Sequence, residues 1–377
     1  MKISFKILIA AVCFAAIGFA FYGCAVKSAS NDALIYFNEG EKHFNNAKDN
    51  EMTLEYEKAR IDFEKAIGSF NKALKLDPNF SLAYHKLGDV YYAVGEIDKG
   101  KENYAKAIAG YDQALKLDPN NARAYSYRGM VHLYMGDDEK SIADINKAIE
   151  LDPNDALLYH NRGEYNMRNA EQKEAISSFS KAIELDPNFV LAYHDRAMAY
   201  FHVNEFQNAA EDFERTIKFG AQPAWLYYSL GELYCNFLLP LSDSDIKKAL
   251  ANLNKAIALA PNYEYSYNAR AWTYYAAGEY EKAIEDYDRL IKMEIEANSS
   301  AWMWYGKRAV MYATLKEYEK AIADFDKLIE DFGKYSFNDK NQAEAYCYRA
   351  EMYKNIGDIN RSNDDAKKAR ELDKCDL

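Results

Sequence analysis

The chain has 377 residues, 49% hydrophobic and 28% charged, with a formal net charge of −12. That acidic balance argues against a nucleic-acid backbone or an anionic membrane surface as the main partner. Only seven Pro and 17 Gly are present, which favours helix. The five cysteines (Cys13, Cys24, Cys235, Cys347 and Cys375) show no C-x-x-C spacing, so neither a zinc site nor a disulfide framework is expected. Cys235 and Cys347 read as small apolar fillers.

In chain order, Lys2 and Lys6 precede an apolar run from Ile7 to Val26, and the chain turns polar after Lys27. This is the pattern of an export signal. Within it, Phe21-Tyr22-Gly23-Cys24 resembles a bacterial lipobox, which implies lipidation of Cys24 and a mature chain beginning there. The rival reading is an uncleaved anchor, since about twenty residues at ~1.5 Å each cross a bilayer core. Simple secretion is the third. The two leading readings place the body outside the cytoplasmic membrane of a bacterial cell envelope, on the periplasmic side or at the outer membrane. Residues 1–24 are the signal or anchor and 25–32 a short tether.

The body is repetitive. Leu-Asp-Pro-Asn occurs at Leu76–Asn79, Leu117–Asn120, Leu151–Asn154 and Leu185–Asn188, and a worn copy is Leu259-Ala-Pro-Asn262. Asp118, Asp152 and Asp186 stand 34 residues apart, a fixed period that marks one copied supersecondary unit. In the copy from Asp155 to Pro187, Tyr159, Gly163 and Met167 mark one amphipathic helix, and Ala175, Phe179, Ala182 and Ile183 a second. Asp186-Pro187 stops the second, because Pro disfavours helix at the residue before it. Each copy is therefore predicted to be a helical hairpin.

These positions resemble the tetratricopeptide repeat family. The copy near Leu82 carries Tyr84, Leu87, Gly88, Tyr91, Ala107, Tyr111, Ala114 and Pro119; others carry Tyr193, Ala197, Tyr200, Ala209 and Phe213, or Tyr267, Ala271, Tyr274, Gly278, Ala283 and Tyr287. The resemblance implies an all-α, right-handed superhelical solenoid of about nine hairpins over residues 33–373, with 374–377 as a tail. Gly88, Gly129, Gly163 and Gly231 are predicted where paired helices approach closely. Gly40 to Pro78 and Gly88 to Pro119 are longer intervals than usual, so the first two hairpins are expected to be lengthened and to project from the stack. Leu238-Leu239-Pro240 reads as a helix stop, with Ser242 and Asp245 as the next N-cap. The polar segment Asn360–Asp373 is expected to be a capping helix, with Asp364 and Asp365 on an outer surface.

The family resemblance puts the first helix of each hairpin on a concave face. Counting from the marker Tyr, three register positions share one side of each first helix. The partner-binding candidates there are His85, Asp89, Tyr92, Met130, His160, Glu164, His194, Met198, Tyr228, Glu232, Trp272 and Tyr275. This mixture of acids, aromatics and Met suits a protein or peptide segment bearing cationic or aromatic side chains. His85, His160 and His194 share one repeat position, but successive hairpins hold such positions ~10 Å apart, so no metal is expected. Asp144 and Asp286 read as solvated partners of Lys140 and Lys282 at i,i+4. No Walker loop, H-E-x-x-H, G-x-S-x-G or dinucleotide fingerprint occurs, so neither a cofactor nor catalysis is expected. The readings left are a membrane-tethered protein–protein interaction scaffold or, alternatively, an envelope receptor binding sugar or peptidoglycan through Tyr92, Trp272 and Tyr275.

Overall fold

The computed structural model describes residues 30–220, 223–237, 242–334 and 339–372. The proposed signal, most of the tether, Cys24 and the C-terminal tail lie outside these residues. The described elements are helical and fall into nine hairpins. The first five pair α1 (Asn31–Met52) with α2 (Tyr56–Leu76), α3 (Ser81–Ala93) with α4 (Ile97–Leu117), α5 (Ala122–Met135) with α6 (Asp138–Leu151), α7 (Ala156–Arg168) with α8 (Gln172–Leu185), and α9 (Val190–His202) with α10 (Phe206–Lys218). The sixth pairs α11 (Ala224–Glu232), continued by a π turn at Leu233–Phe237, with α12 (Asp243–Leu259). The last three pair α13 (Glu264–Ala276) with α14 (Tyr280–Glu296), α15 (Trp302–Thr314) with α16 (Tyr318–Lys334), and α17 (Asp339–Asn355) with α18 (Ile359–Leu372).

The chain forms two compact units, one ending at Leu226 and the other beginning at Tyr227. Within each, the second helix of a hairpin packs on the first helix of the next. First helices also touch one another, as α1 with α3, α5 with α7 and α7 with α9 do in unit 1, which puts them on the crowded inner side.

The Leu-Asp-Pro-Asn peptide has a local job. Asp77, Asp118 and Asp186 are extended residues just past their helices, as a residue before Pro must be. The backbone N–H of the Asn two residues on donates to the Asp Oδ1, at 3.0 Å in Asn79, 3.1 Å in Asn120, 3.2 Å in Asn154 and 3.0 Å in Asn188. This Asx turn redirects the chain into the next hairpin. The worn copy keeps the backbone angles at Ala260 without a carboxylate to accept.

The predicted close approaches are present. A Cβ built on Gly163 would lie 2.4 Å from Phe179 Cε1, and one on Gly88 2.4 Å from Tyr104 Cδ1. Every inner turn among the described residues uses a left-handed residue. Gly95, Gly136, Gly278 and Gly357 supply it, but Leu54, Ala170, Asn204 and Lys316 adopt it too, Ala170 at φ 59°. Ser242 and Asp245 form the expected capping box.

Three sequence expectations need correction. First, Asp144 and Asp286 are buried, not solvated. Arg128 grips both oxygens of Asp144 at 2.7 Å, and Arg270 grips those of Asp286 at 2.9 and 2.5 Å. Arg196–Asp212, Arg308–Asp324 and Arg349–Asp365 repeat the pair at the same 16-residue spacing. Each Arg also reaches the second helix of the preceding hairpin, as Arg128 does at Asp112 (2.5 Å) and Arg270 at Asn254 (2.5 Å). It lies over the ring of the marker Tyr, Tyr125 for Arg128 and Tyr267 for Arg270. Lys140 and Lys282 bond Asp137 and Glu279 instead. Asp365, placed on the outer surface by its polar neighbourhood, belongs to this set and is buried.

Second, the lengthened hairpins are not simply projections. In hairpin two, α4 has 21 residues while α3 keeps 13. In hairpin one, α1 ends twelve residues past Gly40, whereas α3 ends five past Gly88. The added stretch of α1 holds Asp49, whose Oδ1 accepts from Trp225 Nε1 at 3.2 Å. Trp225 is buried and meets His194 edge-on at 5.3 Å between ring centres. The extra length of the first helix thus reaches the start of the sixth hairpin within unit 1. Third, Cys347 is disulfide-bonded instead of acting as a plain apolar filler.

Candidate functional site

The candidate residues divide by burial. His85, Met130, His160, His194 and Met198 are buried between hairpins, where they act as packing groups. Asp89, Tyr92 and Glu164 in unit 1, and Tyr228, Glu232 and Tyr275 in unit 2, keep partial exposure, and Trp272 is 47% exposed.

In unit 1 the inner side of α3, α7 and α9 gathers ionisable groups. Tyr104 Oη donates to Asp89 Oδ1 at 2.8 Å, and Lys86 Nζ lies 3.5 Å from Asp89 Oδ2. Tyr92 stacks on Tyr104 at 5.1 Å, and Tyr104 on Tyr134 at 6.1 Å. His85 packs edge-on to Tyr104, and burial lowers its pKa to about 4, so the ring is neutral at pH 7. Asp195 bridges two imidazoles, 2.7 Å from His160 Nε2 and 2.8 Å from His194 Nδ1. Burial opposes its charge, but those two hydrogen bonds outweigh it and hold the carboxyl well below the usual range. For His160, burial pulls the pKa down while Asp195 and Glu164 more than offset it, and the net direction is up. Glu164 is pushed up, first by burial, despite the attraction of His160. Its side chain retains 37% exposure, so the desolvation comes from surrounding walls, as a concave face imposes, and not from full enclosure.

In unit 2 the corresponding positions are mostly aromatic. Tyr228 bonds Glu232, whose pKa burial raises. The Tyr228 ring meets Tyr263 at 5.3 Å and Tyr265 at 6.2 Å, and Tyr265 is exposed. Trp272 packs on Tyr275 at 5.3 Å, and Tyr275 on Tyr280 at 5.7 Å. Lys307 Nζ, above the Trp304 ring, donates to Asn268 Oδ1 at 2.6 Å. Cys235 is free and buried, with its thiol pushed up to about 12 by burial, and is not a reactive thiolate at neutral pH.

Asp195 and Tyr104 are the groups that sequence reasoning missed. Asp195 follows His194 directly, one step off the register used to choose candidates. Tyr104 belongs to a second helix and enters because Gly88 leaves room for its ring. Among the described residues, no three His, Cys, Asp or Glu side chains are arranged to hold a metal ion.

Helical hairpins stacked in this way, with small residues at their crossings, define a helical-repeat protein. Models described as tetratricopeptide repeat match residues 241–292, 268–336, 122–155 and 156–189, and one described as TPR repeat matches 62–95 and 96–136. Together these segments span more than half of the chain, which belongs to the tetratricopeptide repeat family. Among solved structures, the C-terminal part of a TPR repeat-containing protein from Cytophaga hutchinsonii is similar at 16% identity, covering 69% of this chain and 98% of its own, with a TM-score of 0.52. A tetratricopeptide repeat protein from Parabacteroides merdae matches at 19% identity over 67% of this chain and 93% of its own, with a TM-score of 0.44. No curated protein matches the chain.

Proposed function

We propose that this is a membrane-tethered interaction scaffold of the bacterial cell envelope, and that its inner faces hold a peptide or protein partner. Tetratricopeptide repeats generally serve as binding scaffolds and not as catalysts. The observation that carries the reading here is the exposed Trp272 beside Tyr275 on a first helix, among described aromatics that are mostly buried or half-buried. A large apolar ring left open at a position where most other hairpins carry an acid or a buried Met marks a contact surface. The carboxylates Asp89, Glu164 and Glu232 suit cationic side chains on that partner. Tethering is supported by the sequence alone: Lys2, Lys6, the apolar run and Gly23-Cys24. Among the described residues no helix is long and apolar enough to cross a membrane.

Crosslinking pull-down from envelope extracts tests the scaffold. A specific protein captured by the wild type and lost with Glu164→Lys or Glu232→Lys supports it; capture unaffected by both variants contradicts it. Palmitate labelling that disappears in Cys24→Ser would establish the lipid tether, and an unlabelled, uncleaved chain would favour the anchor. The open Trp272–Tyr275 pair also fits sugar stacking. Retention on purified cell wall, abolished by Trp272→Ala, would favour that second reading.

A further inference from the structure

We infer that the disulfide of Cys347 joins it to Cys375, and that this bond closes the C-terminal end of unit 2 in place of a further hairpin. The inference is independent of what the inner faces bind.

The end of unit 2 lacks the cover that its other hairpins have. Within the unit, α14 packs on α15 and α16 on α17, whereas α18 packs on α17 and no described helix follows it. Two positions past the marker Tyr, Asn161 and Ala269 are buried, but their counterpart in α17, Tyr348, is 49% exposed. A repeat stack needs its terminal unit closed. Cys347 stands beside Tyr348, at the register position that His85, His160 and His194 occupy in unit 1.

The bond at Cys347 is present, and the other four cysteines decide its partner. Cys235 is free and buried. Cys13 and Cys24 lie far upstream in the apolar N-terminal run, and the lipobox reading removes the first and acylates the sulfur of the second. Cys375 lies outside the described residues, three positions past Leu372 at the end of α18. Closing this much shorter loop costs less chain entropy. The reach is sufficient. α17 and α18 run antiparallel, so Leu372 stands roughly five residues, or ~7.5 Å, past the level of Cys347 and about 8–10 Å to its side. Three more residues extend ~10 Å, enough to bring the two Cα atoms within the ~5.5 Å that a disulfide spans.

The bond forms when one thiolate attacks a disulfide-bearing oxidant and the second displaces it. One S–S bond forms in the chain and one breaks in the oxidant, which takes up two electrons and two protons and leaves as a dithiol. Such bonds persist in oxidising compartments, where the N-terminal export pattern would deliver the body. Reduction would uncover the inner end of α17.

The test uses the full-length protein, extracted in detergent with N-ethylmaleimide to block free thiols and digested without reductant. The chain should run as a monomer in a non-reducing gel, and mass spectrometry should find a peptide pair joining Cys347 to Cys375 that is lost on reduction. Cys347 carrying N-ethylmaleimide, or joined to Cys13, to Cys24 or to a second copy, overturns the pairing. The closing role is tested by Cys375→Ser, which leaves every described helix residue unchanged. Amide hydrogen exchange in α17 and α18 should then speed up at least about tenfold, with α13 and α14 unchanged. Unchanged exchange in α17 and α18, or equal acceleration in α13 and α14, overturns that role.

Discussion

Units 1 and 2 are built from one hairpin plan, yet their inner faces carry different chemistry. In unit 1 the partly exposed groups are carboxylates beside buried His, with the Tyr92–Tyr104–Tyr134 stack next to them. In unit 2 the same positions present Tyr228, Trp272 and Tyr275, with Glu232 already bonded to Tyr228. The outer architecture differs much less, since the Arg–Asp pair of Arg128 in unit 1 recurs at Arg270, Arg308 and Arg349 in unit 2. The repeat thus separates two tasks. Crossing glycines, Arg–Asp pairs and Asx turns hold the stack, and the inner register is left free to vary with the partner.

The largest expected effect tests the crossing glycines. Gly163→Leu in unit 1 drives a side chain into Phe179 and should cost ~3 kcal/mol, read as a lower melting temperature. In unit 2, Gly306 has only Leu328 Cδ2 nearby, at 3.3 Å. Gly306→Ala should therefore be neutral or gain up to about 0.5–1 kcal/mol from helix propensity. Equal losses would mean that the crossings are alike.

The Arg–Asp pairs come next. Asp286→Ala strands Arg270 between helices and should cost about 2–3 kcal/mol. Unit 1 contains a weaker version in which Ser178 replaces the acid and accepts from Arg162 at 3.1 Å. Ser178→Ala should cost about 0.5–1.5 kcal/mol. Paired denaturant titrations measure both, and a Ser178 effect as large as that of Asp286 would break the distinction.

Removing the hydrogen bond between the ends of unit 1 while keeping the ring packed, by replacing Trp225 with a bicyclic analogue lacking the indole N–H, should cost about 1 kcal/mol. Denaturant melts compare it with wild type, and no change would mean that the Asp49 contact adds nothing. The pH dependence is specific to unit 1. Burial holds the folded pKa of His85 near 4, below its ordinary 6.5. Between those values the unfolded chain binds more protons, so folding stability contributed by neutral His85 falls as pH drops from 6.5 to 4. Subtracting the profile of His85→Gln from that of wild type should isolate this slope. A flat difference would show that His85 is not buried as neutral.

The hairpins, their crossings and the cap at Ser242 were legible in sequence because period, Gly, Pro and Ser act locally. The Arg–Asp pairs were not, because their 16-residue spacing joins two helices across a turn, and a search at i,i+4 assigns Asp144 and Asp286 to the wrong cations. The signal was present as Tyr-x-x-Arg followed by Asp in hairpin after hairpin. Hairpins two and six place Leu87 and Leu230 at the Arg position and have no such pair. The register picks out a set of positions on the first helices, but sequence could not say that His85, His160 and His194 would be buried beside the acids. That depends on neighbours such as Tyr104, Phe189 and Trp225, which arrive from other helices.

The division of labour between the two inner faces is tested most directly by a light-activated crosslinker placed in living cells at Tyr92 in unit 1 and, separately, at Trp272 in unit 2. Specific protein adducts should form at both positions, and Glu164→Lys should abolish the Tyr92 adduct while sparing the one at Trp272. Adducts at neither position, or Glu164→Lys erasing both or neither, would contradict it.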